Sequence, residues 1–238
     1  MKSRRPGVSA FIRLRNEAEW LPMCLASIAG IFQQTLVITQ GPQTDGTDRI
    51  CEESGLPYYH FPHLSAPNGE GHDKQPSGIH ERAFFYNWCL SKTTCEYACK
   101  WDGDMLAFDW FGDWLEETLE SKPDQVKFHG TDVVGDIHHI GKRKHCAAEW
   151  RVFRVTDQTY YYTGPRCEVL HTPYAGGVVC GKPAFLHTKW AKQNNKEAWP
   201  KNWRELAHFR EIEKRSQVAG SYTGELPACL SNNNDKTR

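Results

Sequence analysis

The chain has 238 residues, which is long enough for one domain to bury a full hydrophobic core without disulfides or a structural metal. Its 29 basic and 29 acidic residues give a formal net charge of zero, so no global field favours nucleic acid or an anionic membrane. No apolar run approaches the roughly 20 residues that span a bilayer, and the opening residues lack a signal peptide's apolar region. The nine cysteines follow no paired spacing, which indicates reduced thiols. We expect a cytosolic α/β protein whose anion binding is local.

The first sixty residues alternate between short apolar runs and segments with helical spacing. The pattern predicts strands at 8–12, 35–39 and 57–61, with helices at 21–32 and 48–54 between them. Asn16 and Glu19 have the spacing of a capping box, and Gly55 stands where a helix favours glycine after its end. This alternation predicts right-handed crossovers and a parallel sheet, whose ligands bind at the carboxyl ends of the strands.

Beyond the first sixty residues, the sequence pattern differs before and after residue 126. Before that point, a long loop at 64–78 precedes a helix at 79–91, a strand at 96–101 and a helix at 109–121. After it, short aromatic and β-branched runs predict antiparallel strands. The predicted elements of this second part are strands at 150–155, 159–162 and 177–186, a charged helix at 201–216 and a disordered polar tail from 231.

The strand at 96–101 ends on two carboxylates, Asp102 and Asp104, separated by Gly103. A period of two points both side chains the same way, and the glycine leaves the position between them open. Magnesium or manganese typically binds one or two carboxylates while substrate phosphates complete its coordination. A solvated turn is the alternative interpretation, because Asp-Gly-Asp is also a favourable loop sequence.

Several blocks of the sequence, in this order, resemble the inverting family 2 glycosyltransferases over roughly residues 7–110. They are 11–17 (FIRLRNE), Leu21 with Cys24, Leu25, Ser27 and Ile28, then 44–47 (TDGT), Tyr86 with Asn87, and 101–104 (WDGD). The resemblance implies a GT-A fold, a Rossmann-like and mostly parallel central sheet flanked by helices, with a smaller antiparallel region on the acceptor side. It also implies a single domain over 1–230, with a nucleotide-sugar-binding half at 7–105 and an acceptor-binding half at 126–216, before a tail at 231–238.

The same resemblance implies the reaction and its partners. The donor would be a nucleoside-diphosphate sugar, usually of the uridine or guanosine type, and the acceptor a hydroxyl of a glycan, lipid or protein. Mn²⁺ or Mg²⁺ would be held by Asp102 and Asp104, with Gly103 between them. The balanced charge predicts no nucleic-acid partner, and the lack of a long apolar run predicts no transmembrane segment.

Further donor-binding residues follow from the matched blocks. Arg13, Asn16 and Glu17 would lie beside the nucleotide, and Glu17 would contact the base or ribose. The family usually has an acidic pair where this chain has Thr39 and Gln40, which leaves base recognition open. Gln40 can both donate and accept hydrogen bonds.

Asp45 and Arg82 can each be interpreted either as a donor-binding residue or as a structural residue. Asp45 either replaces the missing acidic pair or sets the turn in which it lies. Arg82, on the helix before the metal strand, either binds the diphosphate bidentately or belongs to an exposed helical surface.

The proton acceptor is predicted to be Glu168. The segment 164–170 resembles a Gly-x-x-His-Glu-x-Leu segment of one branch of the family, although Cys167 replaces the histidine. A salt-bridged glutamate at a strand end is the alternative interpretation. The reserve candidates are Asp132, Asp136 and Glu149.

A late histidine and lysine follow the last apolar strand. Many enzymes of this fold bring such a histidine to the metal or diphosphate, so His187 is a predicted metal ligand and Lys189 a predicted phosphate contact. A hydrogen-bonded core histidine is the alternative for His187.

Two other functions are alternatives to sugar transfer. A sugar-nucleotide nucleotidyltransferase would also use a parallel sheet and an acidic metal site, but the loop after the first strand lacks the glycines that such enzymes need. A non-catalytic carbohydrate-binding or partner-binding module on a degenerate transferase fold is supported only by Thr39 and Gln40 in place of the acidic pair.

Overall fold

The computed structural model describes residues 3–66, 76–165, 167–192 and 218–231. Its strands in chain order are β1 (Arg5–Leu14), β2 (Gln34–Gln40), β3 (Tyr58–Phe61), β4 (Cys95–Asp102), β5 (Met105–Ala107), β6 (Gln125–Phe128), β7 (Gly130–Val134), β8 (His139–His145), β9 (Glu149–Arg154), β10 (Tyr160–Thr163), β11 (Glu168–His171), β12 (Val178–Val179), β13 (Phe185–Trp190) and β14 (Val218–Ser221). Its helices are α1 (Leu21–Ser27), α2 (Thr47–Glu53), α3 (Arg82–Leu90), α4 (Phe111–Glu120) and α5 (Ala228–Ser231).

A seven-stranded sheet in the order β12-β6-β9-β4-β1-β2-β3 forms the centre of the fold. The β4-β1-β2-β3 part is parallel, while β9 runs antiparallel to both of its neighbours, β4 and β6. The predicted order of three strands and two helices in the first sixty residues is confirmed, as is the mostly parallel sheet. Gly55 has φ 70°, the left-handed conformation expected after the end of α2.

A second sheet, β14-β8-β7-β13-β5, and the hairpin β10-β11 contain most of the later strands. The hairpin and the β7-β8 and β8-β14 pairs are antiparallel, which agrees with the general expectation for this part of the chain. The strands β7, β8, β11 and β14 themselves were not predicted. The β6-β12 and β7-β13 pairs are parallel, so the expectation of antiparallel strands holds only in part. The strand predicted at 177–186 is divided between β12 and β13, because Gly181 and Pro183 occupy the turn between them.

The central sheet is buried on both faces, as the near-continuous apolar runs of its strands require. Along β1, Ala10 and Ile12 pack into one core while Phe11 packs into the other. In the first core, the fully buried Trp101 lies 5.7 Å from Phe111 and 5.6 Å from Phe185 between ring centroids, which joins β4 to α4 and β13. These aromatic contacts hold the carboxyl end of β4 in place.

The capping box predicted at Asn16 and Glu19 is not formed. Asn16 has φ 54°, a left-handed conformation that Asn tolerates, and its side chain accepts a hydrogen bond from the Thr44 amide instead. Helix α1 begins at Leu21 without a side-chain cap and ends at Ser27, so it is shorter than predicted. Pro22 lies in its first turn, where proline removes no helical hydrogen bond.

Some other boundaries also differ from the sequence prediction. The helix predicted from residue 79 begins at Arg82, after a 3₁₀ turn at Gly78–His80. The helix predicted at 201–216 lies outside the described residues, as does the tail after Ser231. Within the described ranges, no helix is both long and apolar enough to cross a membrane.

Asn87 fastens the β10-β11 hairpin to helix α3. Its amide nitrogen donates to the Tyr161 carbonyl at 2.8 Å, and its amide oxygen accepts from the Tyr161 N–H at 2.7 Å. The preceding residue in α3 supports the same contact, because the ring centroids of Tyr86 and Tyr161 lie 4.9 Å apart. This hairpin carries Glu168, so Asn87 positions a residue of the candidate site.

We expect Asn87→Ala to lower the free energy of unfolding by about 1–3 kcal/mol, because two main-chain groups of Tyr161 lose their partners. Chemical denaturation followed by circular dichroism measures this change. Gln158→Ala, at an exposed position in the turn before β10, is the control and should change stability by less than about 0.5 kcal/mol. Equal stability of the two variants would contradict the anchoring role.

Candidate active site

A polar cavity of about 560 Å³ opens at the carboxyl ends of β1, β2 and β4. Its position agrees with the rule that parallel sheets bind ligands at these strand ends. Charged residues of both signs line it, which suits a ligand that carries phosphates and a cation. They are the basic residues Arg13, Arg15, Arg82, Lys100, Arg151, Lys189 and Lys192, and the acidic residues Glu17, Asp102, Asp104, Asp132, Glu149 and Glu168.

Asp102 is a buried carboxylate shared by two arginines. Arg13, at the end of the neighbouring strand β1, forms an ion pair with Oδ1, and its Nε donates to the same oxygen at 2.6 Å. Arg151 of β9 approaches Oδ2 at 3.3 Å. Burial alone would raise the pKa of Asp102, but the two arginines outweigh it and hold the pKa well below the usual value. Asp102 is therefore ionised and fixed in position.

Asp104 has different partners on its two carboxylate oxygens. Oδ2 accepts from the Lys192 ammonium at 2.7 Å, while Oδ1 lies 3.6 Å from His187 Nε2. The main-chain oxygen of Asp104 accepts from the Thr188 N–H at 2.8 Å, which ties β13 to the turn after β4. Burial favours the neutral acid, but Lys192 and His187 lower the pKa of Asp104 to about 2.

Lys192 also contacts a second acid, Glu17, in the loop after β1. Its Nζ lies 2.5 Å from Glu17 Oε2, and only 5% of the lysine side chain is exposed. Burial of Glu17, together with the negative charge of Asp104, raises the pKa of Glu17 to about 8 against the opposing effect of the ammonium. One ammonium thus bridges two buried carboxyl groups, those of Asp104 and Glu17.

His187 is oriented by Asp132 of β7. Its Nδ1 lies 2.7 Å from Asp132 Oδ1, so its Nε2 faces Asp104. A carboxylate behind an imidazole is the usual arrangement for a histidine that binds a metal through its other nitrogen. Cys146 lies beside this pair, and ligand atoms of Cys146, Asp132 and His187 are all within 4.8 Å of one another.

Glu168, the first residue of β11, lines the same cavity. Its Oε2 is buried and has no hydrogen-bond partner among the described residues. Glu149 differs from it, because Lys100 at 2.8 Å and Arg151 at 3.4 Å both pair with Glu149 Oε2. Burial raises the pKa of Glu149, but Arg151 and Lys100 outweigh that effect and lower it to about 2. The unpaired oxygen of Glu168 is the one available to a hydroxyl ligand.

Comparison with known proteins supports the fold. No protein-family model and no curated protein matches the chain. Among solved structures, it is similar to S. aureus TarS 1-349 in complex with UDP-GlcNAc, at TM-score 0.52 and 12% identity over 86% of this chain and 64% of that one. A second crystal structure of S. aureus TarS 1-349 gives TM-score 0.50 and 12% identity over 76% of this chain and 60% of that one.

The chain has a GT-A-like fold. The mixed α/β architecture with its mostly parallel central sheet confirms the fold class expected from the sequence. The chain spans less than two thirds of the length of these two TarS structures. The similarity therefore describes the fold.

The structure brings most of the predicted site residues to this one cavity. The predicted residues that line it are Arg13, Glu17, Gln40, Arg82, Asp102, Asp104, Glu168, His187 and Lys189, together with the reserves Asp132 and Glu149. The Oε1 of Gln40 accepts hydrogen bonds from the amide and the hydroxyl of Ser65. The Nε of Arg82 is buried without a hydrogen-bond partner in the part of the chain that the structure describes.

Four predicted residues lie outside the cavity lining. Asp45 accepts from the Thr47 hydroxyl at 2.6 Å and from the Ala18 amide at 3.0 Å, so it joins the loop after β2 to the loop after β1, as Asn16 also does. Gly103 is needed for close packing, since a Cβ there would lie 2.4 Å from the Leu14 side chain. Asp136 is an exposed residue that pairs with His139.

The sequence did not predict four charged residues of the cavity, which are Arg15, Lys100, Arg151 and Lys192. Arg151 interrupts the apolar run of β9, and a buried arginine in such a strand is a usable signal that an acid lies opposite. Lys100 has the same kind of position near the end of β4. Lys192 follows β13 by two residues, and no spacing rule connects it to Asp104, 88 positions earlier.

The lowered pKa of Asp104 makes stability depend on pH in acid. Because the pKa falls from 3.8 to about 2 on folding, the stabilisation is present above about pH 4 and is lost as the pH falls through 2. We expect the unfolding free energy of the parent to fall by about 2 kcal/mol more than that of Asp104→Asn between pH 4 and pH 2. Denaturant titrations at several pH values measure both curves, and parallel curves would contradict the shift.

Proposed function

We propose that this protein is a glycosyltransferase that moves a sugar from a nucleoside-diphosphate donor to an acceptor hydroxyl with inversion. The observation that carries the proposal is the cavity at the carboxyl ends of the parallel strands, where Asp104 and His187 converge beside several basic groups. In this proposal residues 7–105 supply the nucleotide-sugar half, and 126–216 the acceptor half, of a single domain at 1–230. The acceptor is a glycan, lipid or protein hydroxyl.

The donor's diphosphate would lie among the basic groups of the cavity. The buried Nε of Arg82 still requires an acceptor, and a phosphate oxygen supplies one. Lys189 lines the same cavity. The nucleoside would extend towards Glu17 and Gln40, with Asn16 and Asp45 holding those two loops together. A uridine donor is favoured because the similar TarS structure contains UDP-GlcNAc.

The residues present fit a divalent cation such as Mn²⁺ or Mg²⁺. Asp104 Oδ1 and His187 Nε2 lie 3.6 Å apart, which allows both to bind one ion, and Asp132 holds the imidazole for that purpose. When bound, the cation would neutralise charge on the leaving diphosphate. Both oxygens of Asp102 face arginines, so we assign Asp102 an indirect part in metal binding, the fixing of Arg13 and Arg151.

The reacting groups divide the work between them. Glu168 takes the proton from the acceptor hydroxyl as its oxygen attacks the anomeric carbon on the face opposite the diphosphate. The bond from the anomeric carbon to the diphosphate oxygen breaks, and the basic groups hold the departing anion. The assignment is supported by the place of Glu168 in the cavity lining and by its Oε2, which has no hydrogen-bond partner among the described residues.

Thermal-shift screening of uridine and guanosine diphosphate sugars, with and without Mn²⁺, tests donor binding. We expect one donor to raise the melting temperature of the parent in the presence of Mn²⁺, and Asp104→Asn to abolish the metal-dependent part of that rise. No stabilisation by any donor would contradict the proposal. Tight glycan binding without donor binding would instead favour a non-catalytic module.

Glu168→Gln separates catalysis from binding. The amide retains the shape of the side chain but accepts no proton, so we expect kcat to fall by roughly 10²–10⁴-fold while donor affinity changes by less than about threefold. Donor hydrolysis or transfer, followed as release of nucleoside diphosphate, measures the rate, and calorimetry measures the affinity. Cys167→Ala, at the exposed neighbouring position, is the matched control and should keep the parental rate. An unchanged rate in Glu168→Gln would move the base to another carboxylate.

A further inference from the structure

Lys192 lies in the same cavity, and the inference drawn from its contacts rests on the proposed function. Its ammonium contacts Asp104 Oδ2 at 2.7 Å and Glu17 Oε2 at 2.5 Å. The lysine side chain is 5% exposed, and that of Asp104 8%, so water screens these contacts little. A positive charge of the protein therefore already occupies one oxygen of the carboxylate that the divalent cation would use.

We propose that Lys192 is an internal competitor for the divalent cation, and that the donor's diphosphate relieves the competition by giving the ammonium a new partner. In the donor-free protein, a cation at Asp104 Oδ1 and His187 Nε2 would lie beside the Lys192 charge and be repelled by it. Lys192 leaves Asp104 when a diphosphate enters. Metal and donor therefore bind cooperatively, and the metal alone binds weakly.

The alternative contacts of Lys192 support this exchange. The ammonium retains its contact with Glu17 when it leaves Asp104, so it still has a hydrogen-bond partner in a buried place. Lys192 lines the same cavity as Arg82 and Lys189, the proposed diphosphate contacts, so a phosphate oxygen can reach it there. The cooperativity is reciprocal, because a coupling free energy between two ligands acts equally on both.

The test measures Mn²⁺ affinity from the electron paramagnetic resonance signal of free Mn²⁺, in the absence and presence of uridine diphosphate. We expect Lys192→Met to bind Mn²⁺ alone at least about tenfold more tightly than the parent, since a like charge has been removed. Uridine diphosphate should increase Mn²⁺ affinity at least about tenfold more in the parent than in Lys192→Met. Lys192→Arg retains the charge and should bind Mn²⁺ alone as weakly as the parent.

Lys192→Met leaves two buried carboxylates facing each other, so the double variant Glu17→Gln/Lys192→Met guards against a failure to fold. It has the parent's net charge and should still bind Mn²⁺ alone more tightly than the parent. Lys182→Met, which removes a lysine that packs on Trp110 away from the cavity, should bind like the parent.

Different results of the Mn²⁺ measurements would overturn the role of Lys192 and the proposed function. Mn²⁺ affinity in Lys192→Met and in the double variant no higher than in the parent would overturn the competition, even if the parent forms a complex with Mn²⁺ and uridine diphosphate. Equal enhancement by uridine diphosphate in the parent and Lys192→Met would overturn the exchange. Failure of every protein to form that complex would overturn the proposed function as well.

Discussion

The buried carboxylate of Asp102 is the feature on which the site depends. Two arginines, from the strands on either side of β4, neutralise it, and without them a charge at this depth would be strongly unfavourable. The three residues belong to adjacent strands of one sheet, so their ion pairs also fix the relative positions of the strand ends. The sheet can therefore end in a rigid polar surface, although its two faces are packed with apolar side chains.

This arrangement gives the two carboxylates, Asp102 and Asp104, different partners. Asp102 is committed to arginines, whereas Asp104 retains an oxygen that faces His187 and another that faces Lys192. The cavity is consequently a network of nearly balanced charges rather than a simple basic or acidic pocket. A ligand that carries both a diphosphate and a cation enters such a network by exchange of partners, which is the basis of the proposed coupling between donor and metal.

The sequence predicted what is local and periodic. The order of elements in the first sixty residues was predicted correctly, because the alternation of apolar and polar segments reflects burial. Asp102 and Asp104 were predicted at the end of a strand, and both line the cavity there, while their part in metal binding stays a prediction. The sequence prediction failed at Asn16, where a tertiary hydrogen bond replaced the local capping box. Lys192 was not predictable, because its contact with Asp104 depends on how β13 packs beside the turn after β4, and the sequence pattern contains no information on that packing.

In the proposed function, one cavity holds both the cation and the donor's diphosphate. Anomalous X-ray scattering from crystals soaked with Mn²⁺ and uridine diphosphate locates both ligands. We expect a manganese peak within bonding distance of Asp104 Oδ1 and His187 Nε2, with the diphosphate beside it and against Arg82. A peak at another site, or a nucleotide bound away from the carboxyl ends of β1 and β4, would contradict the proposed function.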